Sequence, residues 1–104
     1  MKRDTLKRLK RELKQLRANS APTDSDVLEK YANAVGRQKE KRGKEPTWVR
    51  KIDPHLSPPL SIPNHSKDIK AGTARSIIDQ LLADIDEWEQ FIDQQEADED
   101  TNDD

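Results

Sequence analysis

The sequence predicts a small α+β protein whose elements follow the order helix, helix, three strands, helix. Three patterns support this prediction. Four leucines between residues 6 and 16 are three or four positions apart, which is typical of one face of a helix. In residues 47–52, successive side chains alternate between an apolar face and the opposite face, as in a strand. In residues 73–95, the apolar side chains fall within about half of a helix circumference.

The composition limits the size of the core and the kinds of site that the chain can form. Hydrophobic residues make up 31% of the 104 residues, which predicts one domain with a small core. There is no cysteine, and the two histidines are His55 and His65, so neither a metal site nor a cofactor is predicted. No apolar leader and no apolar run of about 18–20 residues is found, which favours a cytoplasmic protein without membrane contact.

Charge is divided unevenly along the chain. Residues 1–52 carry a net charge of +9, and residues 53–104 carry −11. This division indicates either a nucleic-acid surface beside an acidic masking segment or two solvated ends that partly neutralise each other. Charge alone does not choose between the two interpretations.

The first two helices and the strands are placed by their spacing and by local breakers. Residues 1–18 form the basic amphipathic helix, and residues 19–23 are the linker that ends it. Thr23 or Ser25 is expected to cap the second helix, and Gly36 is expected to end it in a left-handed conformation. The strands are expected around Arg37–Arg42, Thr47–Ile52 and Leu60–Ile62.

The last helix is the strongest element, and Thr73 is a suitable N-cap for it. The predicted domain covers residues 24–94, and the acidic residues 95–104 are expected to be disordered. The leucine stripe of the first helix needs an apolar partner, and the far end of the last helix offers Trp88, Phe91 and Ile92. We therefore predict that the two helices dock there, with independent, frayed ends as the alternative. The predicted apolar face consists of Ile77, Ile78, Leu81, Leu82, Ile85, Trp88 and Ile92.

A phosphate-binding pattern precedes that helix. A short strand ends at Pro63, a polar loop follows, and Gly72-Thr73 begins the helix. The basic residues Lys67, Lys70 and Arg75 flank this helix start, where backbone N–H groups favour anions. The alternative is an ordinary strand-to-helix loop with a good cap.

The stretch "LSIPNHSKDIKAGTARSIIDQL" resembles the C-terminal half of HicA toxins, small RNA-cleaving proteins of bacterial toxin–antitoxin systems. An Ile-Pro strand end, a His-x-Lys loop, Gly-Thr and a helix with Ser-Ile occur in the family's order. The upstream stretch "LEKYANAVGRQKEKRGKEPTWV" resembles the first helix and Gly-containing turn of a HicA-like subgroup. The resemblance covers residues 24–88 and implies an α-β-β-β-α fold like that of double-stranded-RNA-binding domains.

The resemblance implies an mRNA interferase that binds mRNA and is covered by a HicB-like antitoxin. Glu45 stands where the family has its catalytic histidine, and a carboxylate is a weaker general base near neutral pH and repels phosphate. The active site is therefore expected to be altered or degenerate. His65 is a second candidate catalytic residue, although a hydrogen-bonding role in its loop is the alternative.

The basic turn and the loop predict an RNA-binding face. Trp48 either stacks on an unpaired base or belongs to the core. The predicted RNA-binding residues are Lys41, Arg42, Lys44, Trp48, Arg50, Lys51, Lys67, Lys70 and Arg75. The alternative function is a non-enzymatic protein–protein interaction module that uses the leucine-striped helix and the acidic tail.

Overall fold

The computed structural model describes residues 2–19, 22–41, 46–51, 54, 58–63 and 67–102. Two helices come first, then an antiparallel sheet, and then one long helix, as the sequence predicts. The elements are α1 (Arg3–Ala18), α2 (Ser25–Ala34), β1 (Arg37–Lys41), β2 (Pro46–Arg50), β3 (Leu60–Ser61) and α3 (Ala71–Asn102).

The sheet has β2 at its centre, antiparallel to both neighbours. Arg37 of β1 lies opposite Arg50 of β2, and the pairing ends at Lys41 opposite Pro46. Side chains of β2 alternate between buried and half-buried positions, which confirms the predicted strand pattern. Trp48 and Arg50 face the core on the same side of the sheet.

Helix α2 is capped by Asp24, whose carboxylate accepts a hydrogen bond of 3.0 Å from the backbone N–H of Asp26. The prediction of Thr23 or Ser25 as the cap is therefore wrong. Thr23 instead forms a β-bridge with Ile69, with hydrogen bonds of 3.1 and 3.0 Å, and this leaves Asp24 at the capping position. Gly36 follows the helix with φ of 91°, the left-handed conformation that was predicted.

Helix α3 begins two residues before the predicted cap. The backbone N–H of Ala74 already bonds to the carbonyl of Lys70 at 2.9 Å, so Thr73 lies inside the first turn and is not the N-cap. The predicted apolar face is buried at Ile77, Ile78, Leu81, Ile85 and Trp88. Leu82 and Ile92 are partly buried against the same core.

The far end of α3 differs from the prediction. The helix continues to Asn102, so residues 95–102 are helical rather than disordered. Glu, Ala and Gln are good helix formers, and adding a residue to an existing helix costs far less than starting one. Residues 103 and 104 of the predicted tail lie outside the described residues.

Helix α1 packs antiparallel on α3, which confirms the predicted docking of the two helices. Leu6, Leu9 and Leu13 are buried in the same core as the apolar face of α3. The contact is longer than predicted. The ion pairs along it join Arg3 to Asp93 and Glu96, Lys10 to Asp86 and Glu89, and Arg17 to Asp79. Exposed pairs stabilise by only about 0–1 kcal/mol each, so the leucines hold α1 in place.

Within the described residues, no helix combines the length and the apolar content that crossing a membrane requires.

Candidate nucleic-acid interface

The strand register places the connection between β1 and β2 and the exit from β3 at one end of the sheet. Lys41, the last residue of β1, pairs with Pro46, the first residue of β2, and residues 42–45 connect the two. Ser61 of β3 pairs with Thr47, so the chain leaves β3 at that same end. The connection that leads to α3 therefore starts beside the basic β1–β2 turn.

The start of α3 is fixed against the start of α2. The β-bridge between Thr23 and Ile69 joins the two segments, and Ile69 is buried. Around this fixed point Lys67, Lys70 and Arg75 are exposed to solvent. The structure thus brings three of the predicted RNA-binding residues to the start of one helix, and this region is called here the α3-start cluster.

Acidic groups lie close to one member of the α3-start cluster. Asp24, Ser25, Asp26 and Lys67 line a cavity of about 120 Å³. Carboxylates near an ammonium group weaken its attraction for phosphate, because like charges repel the incoming anion. The geometry therefore favours an approach of phosphate from the side of Lys70 and Arg75.

Arg75 also connects the α3-start cluster to α1. Its Nε donates a hydrogen bond of 3.3 Å to the backbone carbonyl of Arg17. The neighbouring guanidinium of Arg17 is paired with Asp79, and this carboxylate raises the pKa of Arg17. The last turn of α1 and the first turns of α3 therefore form one basic corner of the molecule.

Other predicted site residues fall outside the described part of the chain. These are both candidate catalytic residues, Glu45 and His65, together with Arg42 and Lys44. The backbone of Lys41 lies in β1 at the turn end of the sheet. Whether these residues meet phosphate stays a prediction.

Two predicted RNA-binding residues lie at the opposite end of β2 from the turn. Lys51 is exposed, and its ammonium group pairs with Glu40 at 2.6 Å. Arg50 is buried, and its side chain is only 1% exposed. In this conformation Arg50 is inaccessible to a phosphate, because it is enclosed in the core.

Trp48 belongs to the core, the second of the two alternatives that the sequence left open. It is 4% exposed and lies in the cluster of buried apolar residues. A base stacks only on a ring whose face is accessible. Stacking on Trp48 is therefore not available in this conformation.

Sequence reasoning missed a buried ionic cluster, formed by Arg37, Arg50, Asp84 and Glu87. Arg37 donates two hydrogen bonds to the carboxylate of Asp84, one of them at 2.9 Å, and both side chains are at most 1% exposed. Arg50 lies 3.6 Å from Asp84 and 2.5 Å from Glu87. The cluster joins β1 and β2 to α3 with balanced charge.

The same arginines donate to backbone carbonyls of β2 and of the segment between β2 and β3. Arg37 donates to the carbonyls of Trp48 at 2.8 Å and Pro58 at 2.9 Å, and Arg50 donates to that of Pro54. These contacts tie the segment before β3 to the core. The buried ionic cluster is thus a structural centre that links the sheet, α3 and the segment before β3.

In the described part of the chain, no group of three His, Cys, Asp or Glu side chains is arranged to hold a metal ion. Comparisons with protein-family models, curated proteins and solved structures find no match for this chain. The likeness to HicA toxins therefore depends on the motif residues themselves.

Proposed function

We propose that the chain is an RNA-binding protein of the HicA-like toxin type. Its phosphate-binding face would lie where the β1–β2 turn and the start of α3 meet. The main support for this proposal is the register of the sheet, which places the exit from β3 at the same end as the connection between β1 and β2. The exposure of Lys67, Lys70 and Arg75 around the start of α3 also supports it.

Such a face binds the sugar–phosphate backbone through lysine and arginine. Binding of this kind is independent of sequence and weakens steeply as salt rises, because each neutralised phosphate releases counterions. Lys70 and Arg75 are the strongest described contributors, since Lys67 shares its cavity with two aspartates. Arg42 and Lys44 of the turn would complete the face.

Cleavage by the family's usual route is expected to be weak or absent. A histidine can take a proton from a ribose 2′-OH near neutral pH, whereas the Glu45 carboxylate at that position is a poorer base and repels phosphate. The chain is then either an mRNA interferase with an altered active site or a degenerate one that only binds. A HicB-like antitoxin that covers the basic face is the protein partner that the family resemblance suggests.

The alternative, a protein-interaction module built on the leucine stripe, has less support. Leu6, Leu9 and Leu13 are each at most 4% exposed because they pack inside the chain. A partner could reach them only if α1 left α3. The apolar part of the stripe is therefore not a free docking surface in this conformation.

RNA binding is tested with a double variant, Lys70→Gln with Arg75→Gln, on a single-stranded RNA. Loss of two phosphate contacts reduces the slope of log affinity against log salt by about 1.4. The matched control is Lys2→Gln with Lys30→Gln, which removes the same charge from an exposed position just before α1 and another on α2. Equal slopes for both double variants would count against the proposed face.

The catalytic part is tested with Glu45→His beside the wild-type chain in an RNA-cleavage assay. We expect little cleavage by the wild type and a gain in the variant. Absence of cleavage in both chains, with RNA binding intact, would remove the interferase and leave an RNA-binding protein.

A further inference from the structure

The outer side of α1 carries a row of cations that the docking of α1 leaves exposed. Lys7, Arg11 and Lys14 are all exposed, at spacings of four and three residues. At about 100° per residue they share one face, opposite the buried leucines. These three residues are called here the α1 row. A shallow groove of about 470 Å³ follows this side, lined by Lys7, Lys10, Arg11, Lys14, Gln15 and Ala18.

The charge of the α1 row is not neutralised by the described part of the chain. Arg3, Lys10 and Arg17, on the side of α1 that faces α3, each pair with acids of α3. No ion pair or hydrogen bond joins a side chain of the α1 row to any described residue. Such a cation keeps its full attraction for an outside anion.

Neither of the two acids of α1 lies between Lys7 and Lys14 on the face of the row. Glu12 lies on another side of the helix, 3.5 Å from the Tyr31 hydroxyl and 3.8 Å from Arg8. Asp4 is in the first turn, where an acid stabilises the helix start. The row from Lys7 to Lys14 is therefore purely basic over roughly 10 Å of helix axis, at 1.5 Å per residue.

The chemistry of this surface fits a nucleic-acid backbone better than an acidic protein. Protein interfaces are centred on buried aromatic, Met and Arg anchors, and they are depleted in Lys. The described residues that line the groove beside the α1 row are four cations, Gln15 and Ala18, with no aromatic or large apolar residue among them. Regularly spaced, flexible cations suit the repeating charges of a phosphate backbone, which needs no fixed anchor.

The α1 row leads to the phosphate face already proposed. The last turn of α1 contacts the α3-start cluster through the hydrogen bond from Arg75 to the Arg17 carbonyl. We propose that the α1 row is a second phosphate-binding surface, and that one RNA strand runs from the start of α3 along the outer side of α1. The inference rests on RNA being the ligand of this chain.

The test measures RNA affinity against salt for the triple variant Lys7→Gln, Arg11→Gln, Lys14→Gln. The probe is a single-stranded RNA of about 24 nucleotides, longer than the roughly 4–16 that one small domain covers. Loss of three contacts reduces the salt slope by about 2. The charge-keeping variant Lys7→Arg with Lys14→Arg should retain the wild-type slope. Circular dichroism checks that the helices persist, which is expected because the row is exposed.

A single-residue pair controls for net charge. Lys14→Gln and Lys30→Gln each remove one exposed lysine from a helix, but only Lys14 belongs to the α1 row. We expect the salt slope to fall by about 0.7 for Lys14→Gln and to stay unchanged for Lys30→Gln. Equal effects of the two changes would overturn the inference, because they would indicate a general effect of charge.

The outcomes separate this inference from the proposed face. If the triple variant weakens binding while the Lys70/Arg75 variant does not, the α1 row stands and the α3-start face fails. If the reverse is found, the α1 row is refuted alone. A wild-type chain that binds no RNA overturns both. Binding of poly-glutamate that the triple variant abolishes, with RNA affinity unchanged, would assign the row to an acidic protein and overturn the inference.

Discussion

Asp84→Asn is the substitution that most directly tests the buried ionic cluster. Asparagine keeps the shape of the side chain and removes its charge. The buried guanidinium groups of Arg37 and Arg50 then have only the Glu87 carboxylate of this cluster as a counter-charge. Arg37, whose side chain is fully buried, loses the carboxylate that it contacts. Breaking a buried pair in this way costs about 3–5 kcal/mol. That is a large part of the roughly 5–15 kcal/mol that holds a domain folded.

The assay is urea unfolding followed by tryptophan fluorescence. Both tryptophans are suitable probes, since Arg37 bonds to the Trp48 carbonyl and the Arg50 guanidinium lies 6.0 Å from the centre of the Trp88 ring. With a slope of about 2 kcal/mol per M of urea, a loss of about 4 kcal/mol lowers the midpoint by about 2 M.

The matched control is Asp79→Asn on the same helix. Its pair with Arg17 is about half exposed, with side chains 48% and 52% accessible, so its loss should cost less than about 1 kcal/mol. If Asp84→Asn and Asp79→Asn lower the free energy of unfolding by amounts within about 1 kcal/mol of each other, burial does not make the Asp84 ion pairs more important for stability. In a double-mutant cycle, Arg37→Met with Asp84→Leu should cost less than the two single changes added together, because no charge is then left unpaired.

Two further predictions concern α1 and its contact with α2. Leu13→Ala should lower the free energy of unfolding in urea by about 2–5 kcal/mol, because Leu13 is 0% exposed. Leu16→Ala should lower it clearly less, because Leu16 is only partly buried. A larger loss for Leu16→Ala than for Leu13→Ala would contradict the burial of α1. Burial and the nearby Glu12 carboxylate raise the pKa of the Tyr31 hydroxyl in the folded protein. The neutral hydroxyl therefore stabilises the fold at pH values below the unfolded pKa of about 10, and this stabilisation is lost as pH rises through the higher folded pKa. Wild type should therefore lose more stability than Tyr31→Phe between about pH 9 and pH 11, and parallel curves of urea midpoint against pH would show that Tyr31 does not take part.

The elements with a clear hydrophobic period are predictable from the sequence. The leucine stripe of α1, the alternation of β2 and the apolar face of α3 each depend on residues close together in the chain. The packing of α1 on α3 could be predicted because the leucine stripe of α1 is unfavourable in water and needs an apolar surface to cover it. The candidate RNA-binding cluster at the start of α3 likewise follows from local sequence.

The buried ionic cluster could not be predicted in the same way. A charged strand residue such as Arg50 is normally assigned to the solvent face, because most arginines are exposed. A signal did exist: Asp84 interrupts the apolar stripe of α3 between Leu81 and Ile85. An acid in such a stripe needs a buried cation. Which arginines supply it depends on strand register, a long-range property.

The cap of α2 shows the same limit on a smaller scale. Asp, Ser and Thr are similar in capping preference, so local sequence does not choose among Thr23, Asp24 and Ser25. The bridge from Thr23 to Ile69 makes the choice, and the two residues belong to distant parts of the chain.

The antiparallel pairing of α1 and α3 has a consequence for synthesis on the ribosome. Arg3 and Glu96, which bond across this pairing, are 93 positions apart. At about 5–20 residues per second, roughly 5–20 s pass between the synthesis of α1 and that of its partner. During that time the leucine stripe is exposed on the nascent chain, where chaperones and other nascent chains can bind it. The earliest of the described helices to leave the ribosome is therefore among the last to be buried.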